Sequence, residues 1–220
     1  MEASLLRYPK KSHRKIILYP EESVRLAELM GIEFGDGGIN NPWQVVITLN
    51  ADKDGEYGKY ITDLIEELFK VTPAVRVRGE RALQIVLSST SVVDYLVKKG
   101  AVRGNKIKQD FDIPCWIREN KENERAFVRG LVDTDGCLYI HRHEVGSRPY
   151  KNIGLCFTSG SKNLLRSVAD IFSGNGIIPH IADQGRRIYL YDENSVVQYL
   201  RTFGSSNPRI TEVYEEWRGA

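Results

Sequence analysis

The chain has 220 residues, 41% hydrophobic and 27% charged, with 31 Lys and Arg against 29 Asp and Glu and a net charge of +2. This is the composition of an ordinary soluble globular protein, long enough for one large domain or two small ones. No apolar run approaches a membrane span and no apolar signal core opens the chain, which argues against a membrane or secreted protein. A nucleic-acid partner is permitted but not demanded by so small a net charge.

Three cysteines, Cys115, Cys137 and Cys156, form an odd set without framework spacing. They read as free thiols of a reducing, intracellular compartment. The basic start, Arg7 to Lys15, reads either as a phosphate-binding arm or as a frayed tail. After it, "LAELMGIEFGDGGI" (Leu26 to Ile39) begins as an apolar helix and ends on Asp36-Gly37. "WQVVITLNAD", from Trp43, is β-rich. "YGKYITDLIEELFK" carries Ile61, Leu64, Ile65 and Leu68 at helical spacing. "AVRVRGE" and "RALQIVLSS" read as a hairpin about Gly79, and "TSVVDYLVKKG" as a short helix capped by Thr90 or Ser91 and closed by Gly100.

The order then repeats. "FVRGLVDTDG" is a second apolar helix ending on Asp135-Gly136; Gly31, Asp36 and Gly37 recur as Gly130, Asp135 and Gly136, each 99 residues on. "CLYIHRHE" and "YKNIGLCFTS" read as strands about Gly146-Ser147-Arg148-Pro149, and "KNLLRSVADIFSGNG" as a helix stopped at Gly174 and Gly176. "IIPHIAD" and "RRIYLYD" form a hairpin across Gly185, and "ENSVVQYLRTFG" closes the unit as a helix. The expected fold is α+β: two tandem αββαββα repeats, 1–117 and 118–220, related by a pseudo-two-fold axis, with antiparallel sheets covered by helices on one face.

A carboxylate at a helix C-terminus stands where the macrodipole disfavours it, and a bound cation is one reason to keep it there. Gly31 and Gly35 share one helix face, and Gly130 and Thr134 repeat that small face. If the two helices pack through these faces, Asp36 and Asp135 meet at one end of the pair. Each is followed by Gly, which suits a left-handed helix end. Two carboxylates with nearby carbonyls suit a hard cation. A lone Asp-Gly is ordinarily a turn; the repetition favours the site.

These residues carry a family resemblance. "LMGIEFGDG" and "VRGLVDTDG" resemble the two signature motifs of the LAGLIDADG homing endonucleases in their single-chain form, with similarity from about Leu26 to Arg209. The motifs depart from the usual pattern at Glu33, Phe34, Val128 and Arg129, none of which is a metal-binding acid. The resemblance implies signature helices at the interface of two halves, each offering a strand saddle to the DNA major groove. It implies that Asp36 and Asp135 bind Mg²⁺ or Mn²⁺ and position the attacking water, while Asp133 is structural.

Family members place a polar residue on the second strand and a base after the fourth. By resemblance these are Gln44 and Asn152, and Lys106 and Arg209. Gln44 and Asn152 fit a solvated role equally well. Alternation puts Arg76 with Arg78, Tyr139 with His141 and His143, and Arg187 with Tyr189 and Tyr191 on shared faces, where they suit base edges and phosphates. A merely solvated face is the bland alternative. Zinc at Cys137, His141 and His143 is not favoured, because no second cluster completes a tetrahedral set.

The leading expectation is a monomeric, free-standing, Mg²⁺-dependent endonuclease cutting both strands of a long asymmetric DNA site. It would act at the minor groove and leave short 3′ overhangs. Such an enzyme spreads its own intron or intein. An RNA maturase on the same scaffold and a non-catalytic DNA-binding regulator are the alternatives.

Overall fold

The computed structural model describes residues 17–219; the basic stretch Arg7–Lys15 lies outside the described residues. Helix α1 (Val24–Phe34) starts where the Ser23 hydroxyl accepts from the Leu26 amide. Nine consecutive residues, Leu26–Phe34, are buried. A helix that is apolar nearly all round belongs at the centre of a molecule. Its partner α5 (Lys121–Asp135) is capped by Asn120, whose side-chain Oδ1 accepts from Glu122 N and Asn123 N.

The two helices meet through the small residues of both motifs. A Cβ added to Gly31 would lie 3.0 Å from Leu131 N and against Phe127 O. One on Gly130 would lie 3.0 Å from Ile32 N and against Glu28 O, and one on Gly35 would meet the Thr134 hydroxyl. The backbones are in contact, as the spacing predicts. Phe34 stacks edge-on against Phe127 and Phe111, both at 5.3 Å. Buried Glu28 accepts from Arg129 Nη2 at 2.7 Å across the interface, and also from Tyr60 and Ser206.

Between these helices and after them the two halves unfold in parallel. β1 (Gly37–Asn41), β2 (Gln44–Asn50), α2 (Gly55–Phe69), β3 (Ala74–Arg78), β4 (Ala82–Ser88) and α3 (Thr90–Lys98) make the first. A one-turn helix, α4 (Cys115–Arg118), leads to the second, and the expected boundary at 117/118 falls inside it. After α5 come β5 (Gly136–Val145), β6 (Arg148–Thr158), α6 (Lys162–Gly174), β7 (His180–Ala182), β8 (Arg187–Leu190), α7 (Glu193–Thr202) and α8 (Pro208–Arg218). The four-stranded antiparallel sheets have the orders β1-β2-β4-β3 and β5-β6-β8-β7, the same winding twice. Alternate residues fill the core: Val45, Ile47 and Leu49 in one sheet, Ile153, Leu155 and Phe157 in the other.

Several local expectations are corrected. Gly37 and Gly136 are not left-handed. A Cβ on Gly37 would sit 2.5 Å from Glu33 Cα, and one on Gly136 would sit 2.6 Å from Val132 Cγ1, so glycine there lets each strand leave against the last helix turn. The cap of α3 is Ser89, whose hydroxyl accepts from Val92 N, and its C-cap is Lys99; left-handed Gly100 follows. The β5–β6 turn has only two residues, Gly146 and Ser147, both at positive φ, so Arg148 and Pro149 already belong to β6. β1, α4 and α8 were not singled out; "GGINN" has no strand composition and pairs only because β2 lies beside it.

Each half also sends a segment over the other. After α3, Asp110 and Phe111 receive the Ser161 hydroxyl, and Ile107 fills the space beside Gly160. After α7, Ser205 and Ser206 donate to Asp133, and Asn207 donates to Asp54 Oδ1 at 3.2 Å and Asp133 O at 2.9 Å.

Candidate active site and nucleic-acid interface

Asp36 follows the end of α1 and Asp135 ends α5, so helix packing carries both carboxylates to one end of the interface. Each is half-buried. Burial raises the Asp135 carboxyl to about 7, and the Asp36 charge adds to the rise while Lys106 opposes it. Asp36 is raised to about 6, by burial first and then by Asp54, against Lys106 and Arg209. That the Asp36 charge raises Asp135 places the two acids close enough to share a site. Among the described residues no three His, Cys, Asp or Glu side chains form a metal cluster. The side-chain donor set is these two carboxylates. That suits a Mg²⁺-class cation, which takes one or two carboxylates and fills its sphere with water and substrate phosphate.

Lys106 sits in a 3₁₀ turn, Lys106–Gln109. Its ammonium donates to Glu33 O (2.7 Å), Phe34 O (2.9 Å), Gly35 O (3.1 Å) and Gly37 O (2.6 Å). It therefore closes the C-terminal end of α1 and fixes the turn bearing Asp36. Burial pulls its pKa down, while Glu33, Asp135 and Asp36 push it up. Arg209 is the second residue of α8; its Nε lies 3.2 Å from Asp54 Oδ1, near enough for charge attraction but not aligned as a hydrogen bond. Both bases thus come to the carboxylates, from segments the sequence placed loosely.

Gln44 and Asn152 do not. Gly37, next to Asp36, pairs with Ile47, and Gly136, next to Asp135, pairs with Phe157. Gln44 is three residues from Ile47 and Asn152 five from Phe157. At about 3.3 Å per residue they lie on the order of 10 and 16 Å along the strands from the acids. Gln44 instead donates to Ser88 Oγ at 3.1 Å, and Asn152 stands exposed opposite His141. Resemblance assigned them as the polar residue of each second strand; register, which strand order does not fix, puts them on the sheet face. Asp133 is buried and accepts from Ser205 Oγ at 2.6 Å and Ser206 N at 2.7 Å, the structural role expected of it. Asp54 and Asn207 were missed: in sequence Asp54 is one more acid before a helix, and only the chain crossing from α7 brings it the Asn207 amide and the Arg209 guanidinium.

The strand pairing places the remaining candidates. In the second sheet, Tyr139, His141 and His143 share the uncovered face with Tyr150, Asn152, Cys156, Tyr189 and Arg187 through the pairs 139/154, 141/152, 143/150, 156/189 and 158/187. His141, His143 and Tyr150 form a stack at 5.1 and 5.7 Å, and Tyr189 stacks on Tyr191 at 5.1 Å. In the first sheet, Arg76 pairs with Gln84 and Arg78 with Ala82, which brings both arginines to the face of Gln44, Thr48 and Asn50. Every residue of β3 is exposed.

Residues 122–210 match the LAGLIDADG-like domain family. No curated protein sequence matches the chain. Among solved structures, the chain is similar to the LAGLIDADG meganuclease I-AabMI bound to uncleaved DNA (TM-score 0.59, 14% identity, 86% of this chain and 87% of that one). It is also similar to I-SmaMI bound to an uncleaved DNA target with calcium ions (0.60, 9%, 90% of each). A third likeness is the I-LtrWI LAGLIDADG homing endonuclease bound to target DNA (0.57, 9%, 89% of each). At such identities the likeness is one of fold.

Proposed function

We infer the function of a chain whose residues 122–210 match the LAGLIDADG-like domain and whose fold is that of LAGLIDADG meganucleases: it is a site-specific DNA endonuclease that cuts both strands with a Mg²⁺-class cation. The observation that carries this reading is the meeting of Asp36 and Asp135, both raised by burial and Asp135 further by the Asp36 charge, at the end of an interface flanked by two bases. A pure DNA-binding protein has no use for two half-buried acids that repel the phosphate.

When bound, the cation would lower the pKa of water and offset charge gathering on the scissile phosphate. Asp36 and Asp135 would hold it and orient the water. Lys106 would fix the turn bearing Asp36, and Arg209 would supply positive charge beside it. The uncovered sheet faces would grip the flanking major grooves: Arg76, Arg78 and Arg187 toward phosphates or guanine edges, and Tyr139, His141, His143, Tyr189 and Tyr191 toward base edges. Gln44 and Asn152 join this surface as readers of bases rather than as catalytic groups. One chain contains both halves, so a monomer suffices. Three free thiols suit a reducing intracellular compartment.

The test is Mg²⁺-dependent cleavage of a randomised duplex library by the wild type beside the Asp36→Asn/Asp135→Asn double variant. Breaks at one sequence, lost by a factor of about 10³ or more in the double variant, are the expected result. Selection of one duplex without cleavage would make the chain a DNA-binding regulator. Selection of none would direct attention to RNA and the maturase reading.

A further inference from the structure

We propose that Asp54 is a positioning residue that holds Arg209 beside Asp36, and so makes the two strand-cutting centres inequivalent. The inference rests on the nuclease reading for its consequence but not for its geometry.

Asp54 occupies the N-cap of α2, where a carboxylate ordinarily bonds the first turn of its own helix. It makes no such bond. The caps of α1, α3, α5, α6, α7 and α8 all do, through Ser23, Ser89, Asn120, Ser161, Asp192 and Asn207. The Asp54 carboxylate is turned elsewhere. Its Oδ2 accepts from Asn50 N at 3.3 Å, and its Oδ1 accepts from Asn207 Nδ2 at 3.2 Å and faces Arg209 Nε, also at 3.2 Å. Asn207 and Arg209 belong to the other half. Asn207 is buried, Asp54 is 8% exposed, and the Asn207 amide also binds the carbonyl of Asp133, two residues before Asp135. A buried carboxylate that forgoes its cap in favour of a cation from the other half sets where that cation rests.

The second half lacks the device. At the matching place, before α6, stands Ser161, which caps its helix through Leu164 N and donates to Phe111 O. The acid of that crossing is Asp110, bonded to Ser161 and Asn163 rather than to a base. The base on that side, Lys106, is bound to four carbonyls of α1 and its following turn. An arginine held by an acid therefore serves Asp36 alone. Released from Asp54, the Arg209 guanidinium would be free to pair with Asp36, whose charge it already offsets, and compete with a cation there.

Coupling between the two residues is read first without turnover. Terbium(III), standing in for the divalent cation, is titrated by luminescence onto the full chain and onto Asp54→Asn, Arg209→Met and the double variant. Asp54→Asn is expected to weaken terbium by about tenfold when Arg209 is present and by less than about threefold when it is methionine. An equal loss in both backgrounds would overturn the proposal. Strand-resolved cleavage of an end-labelled target follows. Asp54→Asn is expected to slow one strand by about tenfold, Arg209→Met the same strand, and the double variant no further, with partial rescue by Asp54→Glu. Slowing of both strands alike, or multiplied effects, would show Asp54 to be a general support. Terbium coupling in a chain that cuts no DNA would keep the Asp54–Arg209 device and remove the nuclease reading.

Discussion

Glu33 lies one turn before Asp36, and its carboxylate has no hydrogen-bond partner on either oxygen. Leu29, Val45, Ile47, Ile65, Ile85, Leu87 and Leu96 surround it, together with a void of about 10 Å³. Burial raises its pKa to about 7, and the Lys106 charge offsets little of that. The folded chain therefore holds this proton more tightly than the unfolded chain, where the group titrates near 4.5. Its contribution to stability is complete below pH 4.5 and is lost as pH rises through 7. Glu33→Leu should remove that slope and gain on the order of 3 kcal/mol at pH 8, measured by denaturant unfolding across pH. An unchanged slope would mean that the carboxyl finds water or a cation in solution. Glu28 behaves oppositely. Burial would raise it, but Arg129, Ser206 and Tyr60 together hold it below the usual range. Removing one partner leaves a buried charge, so Arg129→Met should destabilise by about 3–5 kcal/mol. Equilibrium unfolding at pH 7 reads it directly. The motif departures thus have different physical standings. Arg129 pairs across the interface and Phe34 stacks there, whereas for Glu33 the structure offers no partner.

Among elements, the pair α1 and α5 governs the site. Its close approach depends on Gly31, Gly35 and Gly130, because any Cβ at Gly31 or Gly130 would strike backbone of the other helix. Gly31→Val should cost about 3 kcal/mol, read from the unfolding midpoint. It should also weaken cation binding, since Asp36 and Asp135 separate when the helices do. Gly55, with nothing within 4 Å of an added Cβ, is the control: Gly55→Ala should change stability by less than about 1 kcal/mol. These glycines were legible in the sequence because the small face recurs at one spacing in both motifs. Lys106 was legible as a base in about the right place. That it closes a helix end rather than pointing into open solvent was not, because four carbonyl partners lie about 70 residues away in sequence.

At the scale of the whole molecule, two uncovered sheet faces bear Arg76, Arg78, Arg187 and a row of aromatic and histidine side chains, while the net charge is only +2. DNA affinity should then fall steeply with salt even though the chain is nearly neutral. Arg76→Ala/Arg78→Ala should reduce the slope of log K against log salt by about 1–2, and weaken all sequences alike if both arginines bind phosphate. A slope that does not change, with specificity lost at one base pair, would assign them to base edges instead. Fluorescence anisotropy over a salt series separates the two.

The sequence alone determined the duplication, the order of most elements, the small helix faces and the two terminal acids. All of these are periodicities or repeats carried by neighbours along the chain. Only the tertiary structure decided which polar groups share the site. Strand register moved Gln44 and Asn152 away from the acids, and the crossing of the segment after α7 brought Asn207 and Arg209 to Asp54. A register shift or a chain crossing leaves no mark on local pattern, because its energy lies in contacts between residues far apart in sequence.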